Sequence, residues 1–195
     1  MQTYPTGYTE SHRMAEKIFR EILPRHSMAV REEQIALCHE VLDTLYNKEI
    51  SLCEAGVGTG KTLAYLVACI LWQMHRPERM KLPSVISTSS VALQDAILTE
   101  YLPDLSAVLL GEGIIREPIT AVVRKGKERF VCDARLAERA SLVQPSRKRQ
   151  TNSLNIAAHI LDMDHIPELS RYDRCRICVP QSCPRDCFLR EDCRY

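Results

Sequence analysis

Several features are missing from this sequence, and each absence narrows the reading. No apolar run approaches membrane-spanning length, and the start, Met1-Gln2-Thr3-Tyr4-Pro5, has none of the apolar stretch a secretory leader needs. Internal repeats and low-complexity tracts are absent. Net charge almost vanishes, with 26 Lys and Arg against 25 Asp and Glu. The expectation is a cytoplasmic chain with no membrane partner, a monomer by default. At 195 residues and 45% hydrophobic content it can build one good-sized domain, or one domain with an appendage, around a real core.

Charge is unevenly spread. Residues 1–120 carry 11 Lys/Arg against 15 Asp/Glu, residues 121–150 carry 9 against 3, and residues 151–195 carry 6 against 7. A basic block in a neutral chain fits a polyanion contact, or else a solvated loop face. Nine cysteines are present. Cys38, Cys53 and Cys69 lie in apolar periodic stretches and read as small buried hydrophobes. Cys175, Cys178, Cys183, Cys187 and Cys193 crowd the last 21 residues. In a cytoplasmic chain such clustering means metal more often than disulfide.

The strongest motif is Ala55-Gly56-Val57-Gly58-Thr59-Gly60-Lys61-Thr62. A short apolar run, Ile50-Ser51-Leu52-Cys53, precedes it, and a longer one, residues 63–72, follows. Strand, glycine loop, helix is the setting of a phosphate-binding loop. Glycines let the backbone curl so that its N–H groups point at a polyphosphate, and the helix start adds its positive end. Lys61 would reach the β- and γ-phosphates of ATP, and the Thr62 hydroxyl would ligate Mg²⁺. Ala55 stands where the strict pattern has glycine. The competing reading is a glycine-rich turn between core elements.

Around this loop the periodicity predicts a helix from Ser11, which would cap it, to a stop at Pro24, and another from about Val30 to Tyr46. Residues 84–88 and 119–123 read as further buried strands, with a helix from Ser89 or Ser90 to Leu102-Pro103 between them. This order argues for an α/β fold with a parallel sheet flanked by helices. Beyond residue 123 come a basic stretch, a helix at about Asp133 to Leu142, a loop at 144–149, and a helix over 151–163. The tail from about Ser170 has too little apolar content to hold itself by burial, so a metal is the expected staple.

Several segments resemble one family, the superfamily-two helicases of the DinG/XPD type. Glu54-Ala55-Gly56 through Thr62 is similar to the family's motif I, with Val57 in place of a more usual Thr. Arg31-x-x-Gln34 resembles the Q motif, whose glutamine reads the adenine edge; an amide suits adenine because it donates and accepts at once. Residues 85–94 resemble motif Ia, in which Ser87 and Thr88 would hold phosphates of the translocated strand. Residues 125–132 are similar to the segment that carries the first iron–sulfur cysteine, with Lys127 for Arg and Phe130 for Tyr. The resemblance implies a RecA-like P-loop NTPase fold over 1–123, an incomplete first motor domain. A small Cys-rich metal-cluster insertion over 124–195 would accompany it.

It further implies that Cys132, Cys183, Cys187 and Cys193 ligate a 4Fe–4S cluster. Cys175 or Cys178 could replace one of them. Four thiolates also fit zinc, and Cys175, Cys178, Cys183 and Cys187 would make a compact zinc knot. Arg124, Lys125, Lys127 and Arg129 would line a path for single-stranded or forked DNA, held by phosphate charge. Phe130 would stack on a base or pack beside the cluster.

A motor of this class needs an acidic pair for Mg²⁺ and a second RecA-like domain with an arginine finger. No Asp-Glu-x-His occurs; Asp162-Met163-Asp164-His165 is the nearest cluster and reads as a polar loop. The residues are therefore expected to be the N-terminal portion of a longer ATP-dependent DNA helicase of DNA repair, binding nucleotide weakly and hydrolysing it poorly or not at all. Two other classes compete. One is a small P-loop kinase or transferase with a zinc-binding tail, active by itself. The other is a non-catalytic DNA-binding module with a degenerate ATP site.

Overall fold

A computed structural model describes residues 6–77 and 82–195. The chain divides into two compact units, Met1–Val123 and Arg124–Tyr195.

In the first unit, α1 (Tyr8–Lys17) runs through a π turn, Ile18–Ile22, into α2 (Leu23–Arg25). Then come α3 (Glu32–Asn47), α4 (Lys61–Met74) and α5 (Val91–Ala96). A second π turn, Ile97–Tyr101, leads from α5 into α6 (Leu102–Gly111). The π turns have one cause. Pro24 and Pro103 each stand two residues after a π segment, and the residues four before them, Arg20 and Thr99, lie inside it. Proline has no N–H to return to that carbonyl, and its ring would strike it in an α turn. The wider turn moves the carbonyl aside and lets the helix continue. The first helix ends at Arg25, just after Pro24, as the sequence pattern suggests. Pro103 is not the stop expected there, and residues 102–111 are helical.

The core of this unit is the meeting of α1, α3 and α4. Ala15, Ile18, Phe19 and Ile22 face Ile35, Cys38 and Leu42, with Ala64, Val67, Ala68 and Leu71 completing the cluster. Ile97, Leu105 and Leu109 close it from the α5–α6 side. Burying a side chain of this size is worth about 1.5–3 kcal/mol, so these contacts fix the helices that flank the glycine loop. Ser11 is not a cap. It is wholly buried in α1, and its Oγ lies 2.7 Å from the Tyr46 hydroxyl and 3.0 Å from His75 Nδ1. The helix begins earlier, at Gly7, whose φ of 86° lies in the left-handed region.

Residues 50–53, 84–88 and 119–123 belong to no helix, and no strand ladder occurs among the described residues. Ile50 and Leu52 are fully exposed, at 101% and 102%, and Val85 and Val122 nearly so. Cys53 is exposed with them, unlike Cys38, which is buried; this corrects its reading as a core residue. Burial pushes the Cys38 and Cys69 thiols up.

The second unit packs α7 (Asp133–Leu142), α8 (Lys148–Ala157) and α9 (Arg171–Ile177) around Val131, Leu136, Leu154, Met163, Ile166 and Ile177. Short antiparallel bridges join Phe130 to Asp162 and Val131 to Cys178. At the centre lies Asp173, 1% exposed. It accepts from Arg139 Nε at 2.8 Å, from Gln150 Nε2 at 2.9 Å and from Ser170 Oγ at 2.6 Å, joining α7, α8 and α9. Burial alone would raise its carboxyl; Ser170, Arg139 and Gln150 outweigh that and hold it below the usual range. Residues 170–179 are therefore held by packing, with Ile177 and Val179 buried, and the expectation that a metal alone staples the tail applies only beyond them.

Candidate functional site

The loop before α4 is shaped by its glycines. Gly58 and Gly60 both have φ of 82°, a region that side chains rarely adopt, and Gly60 is the N-cap of α4. Thr59 Oγ1 donates to the Gly56 carbonyl at 3.0 Å and closes the turn. Val57 is fully exposed, so the loop presents backbone rather than that side chain. Lys61 and Thr62 are half-buried in the first turn of α4. Lys61 Nζ donates to the carbonyls of Ala55 at 2.8 Å and Gly56 at 2.6 Å. Two of its three N–H donors are thus spent inside the loop, on neutral acceptors. A phosphate oxygen is a stronger acceptor than either, since hydrogen bonds between charged partners are roughly twice as strong as neutral ones.

The structure brings Arg31 and Gln34 to this loop across some 25 residues of sequence. Arg31, the N-cap of α3, donates through Nη1 to the Gly58 carbonyl at 2.5 Å. Gln34, buried in the first turn of α3, donates through Nε2 to the Gly60 carbonyl at 2.7 Å. Both side chains brace the loop's carbonyls. A Cβ on Gly60 would come 2.0 Å from Gln34 Nε2, so the glycine is needed for space as well as for its φ.

Ser87 is exposed and Thr88 half-buried, just before α5. Thr88 Oγ1 accepts from Ser90 N at 3.1 Å, and Ser90 Oγ caps α5 by accepting from Leu93 N at 3.2 Å.

In the second unit the basic residues separate into two kinds. Arg124 and Lys127 are exposed, and Lys127 Nζ donates to the Gln181 carbonyl at 3.1 Å. Lys125 turns inward. Its side chain is 5% exposed and pairs with Asp162 at 2.8 Å and Asp164 at 3.2 Å. Arg129 and Arg174 reach Asp164 from outside, at 3.2 and 3.3 Å. Burial alone would raise the Asp164 carboxyl; Lys125 first, then Arg129, hold it below its usual range. The acidic loop at 162–164 is therefore the counter-charge of Lys125, whose ammonium faces carboxylates and not an external phosphate.

All nine cysteines are free thiols. Cys132 N donates to the Ile177 carbonyl at 2.7 Å, and Val179 N to the Phe130 carbonyl at 2.9 Å, so Cys178 runs beside the chain at Cys132. Two further contacts tie the end of the chain to the same place. Arg194 Nε donates to Asp133 at 2.9 Å, and the rings of Phe130 and Tyr195 sit 5.3 Å apart. These clasp the neighbours of Cys193 to the neighbours of Cys132. Cys175 and Cys183 are exposed, and Cys187 is half-buried in a turn closed by its N–H on the Pro184 carbonyl. Among the described residues no three His, Cys, Asp or Glu side chains stand close enough together to hold a metal ion. The donor chemistry fits a thiolate-bound metal and the chain path gathers some of the thiols, but a complete ligand shell is not formed.

Comparison with known proteins extends these observations. Over 117 residues, 60% of this chain and 11% of the relative, it is 34% identical to the 3′-5′ exonuclease DinG of Bacillus subtilis. Over 177 residues, 82% of this chain and 25% of the relative, it is 26% identical to the ATP-dependent DNA helicase YoaA of Haemophilus influenzae. The chain is homologous to DinG and YoaA. DinG of Staphylococcus aureus matches at 27% over 92 residues, 47% of this chain and 10% of the relative. The chain thus spans a tenth to a quarter of the length of these relatives. No family model and no solved structure matches. No helix among the described residues is long and apolar enough to cross a membrane.

The contacts that sequence reasoning missed are long-range. The pairing of Lys125 with Asp162 and Asp164, the Arg194–Asp133 clasp and the Asp173 hub each join residues some 23 or more positions apart. Only the opposite charges signal them, and opposite charges are everywhere in this chain.

Proposed function

We propose that residues 1–123 are the ATP-binding part of a RecA-like motor domain. Residues 124–195 would be a DNA-contacting insertion holding an iron–sulfur cluster. Together they belong to an ATP-dependent DNA helicase that moves on single-stranded DNA and opens duplexes. One observation carries this reading: a glycine loop with Lys61 at its helix end, braced by Arg31 and Gln34, in a chain homologous to a protein named as an ATP-dependent DNA helicase. ATP would lie with its phosphates against residues 56–62, drawing Lys61 off the loop carbonyls, and Mg²⁺ would bind at Thr62. The segments 50–53, 84–88 and 119–123 would be strands of the RecA-like sheet. Their exposed apolar side chains support this, as does a cavity of about 670 Å³ that Leu82, Pro83, Ser84, Ile86 and residues 117–122 share with Leu66 and Ile70 of α4.

Phosphate contacts to DNA would come from Ser87, Thr88, Arg124 and Lys127, while Lys125 holds the fold from inside. Cys132, Cys183, Cys187 and Cys193 would hold the cluster, with Cys178 able to substitute, since the chain path sets it beside Cys132. Bound there, the cluster would act as a rigid cross-link of the tail. Nucleotide binding without hydrolysis is the activity proposed for residues 1–195 alone, because the sequence supplies no acidic pair for the attacking water.

The test is ATP binding with and without Mg²⁺ by the chain and its Lys61→Ala variant, with the visible spectrum of anaerobically purified protein recorded alongside. Binding lost on substitution, in a brown protein, is the expected result. Equal binding by both proteins would overturn the nucleotide site. A colourless protein with stoichiometric zinc would overturn the iron–sulfur assignment alone.

A further inference from the structure

One polar seam of the first unit takes no part in holding nucleotide. Where α1 meets α3, His12 Nδ1 lies 2.7 Å from His39 Nδ1, with an angle of 5° between the ring planes. Each outer nitrogen faces a carboxylate. His39 Nε2 stands 2.9 Å from Glu16, and His12 Nε2 stands 3.3 Å from Asp43. Tyr8 donates its hydroxyl to Asp43, and Arg20 of the π turn pairs with Glu16. From α4, His75 meets Ser11 rather than either ring, as does Tyr46 of α3.

The protons in this row can be counted. His39 first, then Arg20, hold the Glu16 carboxyl below its usual range. An ionised carboxylate only accepts, so His39 Nε2 carries a hydrogen. In neutral His39 the Nδ1 is then bare, and it accepts from the Nδ1–H of His12. That leaves His12 Nε2 bare, a buried nitrogen without a hydrogen-bond partner that faces Asp43. A first added proton settles there, between ring and carboxylate. A second has only His39 Nδ1 to go to, where it would meet the hydrogen on His12 Nδ1 head-on across 2.7 Å. The folded pair has room for one added proton, whereas the unfolded chain takes two, at about pH 6.5. Burial holds the His12 ring below its usual value; Asp43 works against it and His39 with it.

We propose that His12 and His39 form a proton-sensitive latch between α1 and α3, closed while the rings share one inner hydrogen and opened when mild acid charges both. Below about pH 6.5 the unfolded chain binds more protons than the folded one, so stability is complete above that pH and falls as the pH drops through it. The start of α3 carries Arg31 and Gln34, which hold the glycine loop, so an open latch slackens that brace. This last consequence rests on the proposed nucleotide site; the latch itself does not.

The experiment follows urea unfolding of the full chain by fluorescence of Trp72, the single tryptophan, which lies in α4, at about pH 7.5, 6.5 and 5.5. The parent should be level above about pH 6.5 and lose up to about tenfold in its folding constant by about pH 5.5, one excluded proton over one pH unit. His12→Gln/His39→Gln should lose that slope, and His39→Gln alone should fall between the two. ATP affinity should drop further in the parent than in the double variant, a comparison in which titration of the ATP phosphates cancels. A parent that stays level refutes the latch. So does a His39→Gln variant with the parent's slope, since burial of His12 alone then sets the pH dependence. Histidine resonances of the parent supply a check that needs no variant: both rings charging together, with α1 still against α3, refutes the latch as well. If stability responds as expected and ATP affinity falls equally in both proteins, the coupling to the loop is refuted. A parent that binds no ATP at any pH overturns the nucleotide site and leaves the latch to the unfolding data.

Discussion

Gly60→Ala probes the nucleotide loop and its brace at once. Two costs add. The residue has φ of 82°, and an L side chain in the left-handed region costs about 1–2 kcal/mol. The new methyl would also lie 2.0 Å from Gln34 Nε2, so the amide must leave. Gln34 is buried, and its hydrogen bond to the Gly60 carbonyl, at 2.7 Å, goes with it, a net loss of about 1 kcal/mol. The sum is about 2–3 kcal/mol in the parent chain. In a Gln34→Ala background the second cost is already incurred, and Gly60→Ala should then cost only about 1–2 kcal/mol. The single tryptophan, Trp72, lies in α4 itself, so urea unfolding followed by its fluorescence reads this unit directly. A double-mutant cycle should return a coupling of about 1 kcal/mol. The same penalty in both backgrounds, or none in either, would refute the claim that Gln34 braces the loop.

Lys61→Ala should weaken ATP binding at least tenfold, about 1.4 kcal/mol, by isothermal titration. Lys125→Met should destabilise the second unit by about 3–5 kcal/mol, because Asp162 and Asp164 keep their charge without a partner, yet leave the salt dependence of DNA binding unchanged. Asp173→Ala should cost a similar amount, seen as lost hydrogen-exchange protection across α7, α8 and α9. Asp164 and Asp173 are both held below their ordinary values, so their stabilisation is complete above the unfolded carboxyl range, near pH 4, and drains away as pH falls through the folded values. Acid titration should therefore melt this unit below about pH 4 and leave it level from about pH 5 to 7. Cys132→Ser should abolish the visible absorbance of the anaerobic protein while leaving ATP binding unaltered.

The glycine loop is legible because its work is done by backbone, and backbone geometry is encoded locally in glycine spacing. Arg31 and Gln34 are legible only through resemblance; nothing in their own neighbourhood announces that they reach Gly58 and Gly60. Pro103 shows where local rules mislead. A proline reads as a stop, and at Pro24 the helix does end within one residue, but at Pro103 one wide turn before it keeps the helix running, and the core behind Leu105 supplies the reason to continue. Lys125 shows the limit of charge counting. It sits in a run of basic residues that reads as one surface, yet two carboxylates 37 and 39 positions away draw it inside. The apolar runs at 50–53, 84–88 and 119–123 form no ladder among the described residues, and composition cannot say what lies against them.

The clasp between the two ends of the second unit bears on how a metal would be loaded. Cys132 and Cys193 are far apart along the chain, and gathering such remote ligands from a disordered coil costs loop-closure entropy, about 2 kcal/mol more than joining the close pair Cys183 and Cys187. Here Arg194 on Asp133 and Tyr195 beside Phe130 already hold the neighbours of Cys193 against the neighbours of Cys132. The apoprotein would thus fold first and receive its cofactor second, and a chelator should strip the metal without unravelling the helices beneath it.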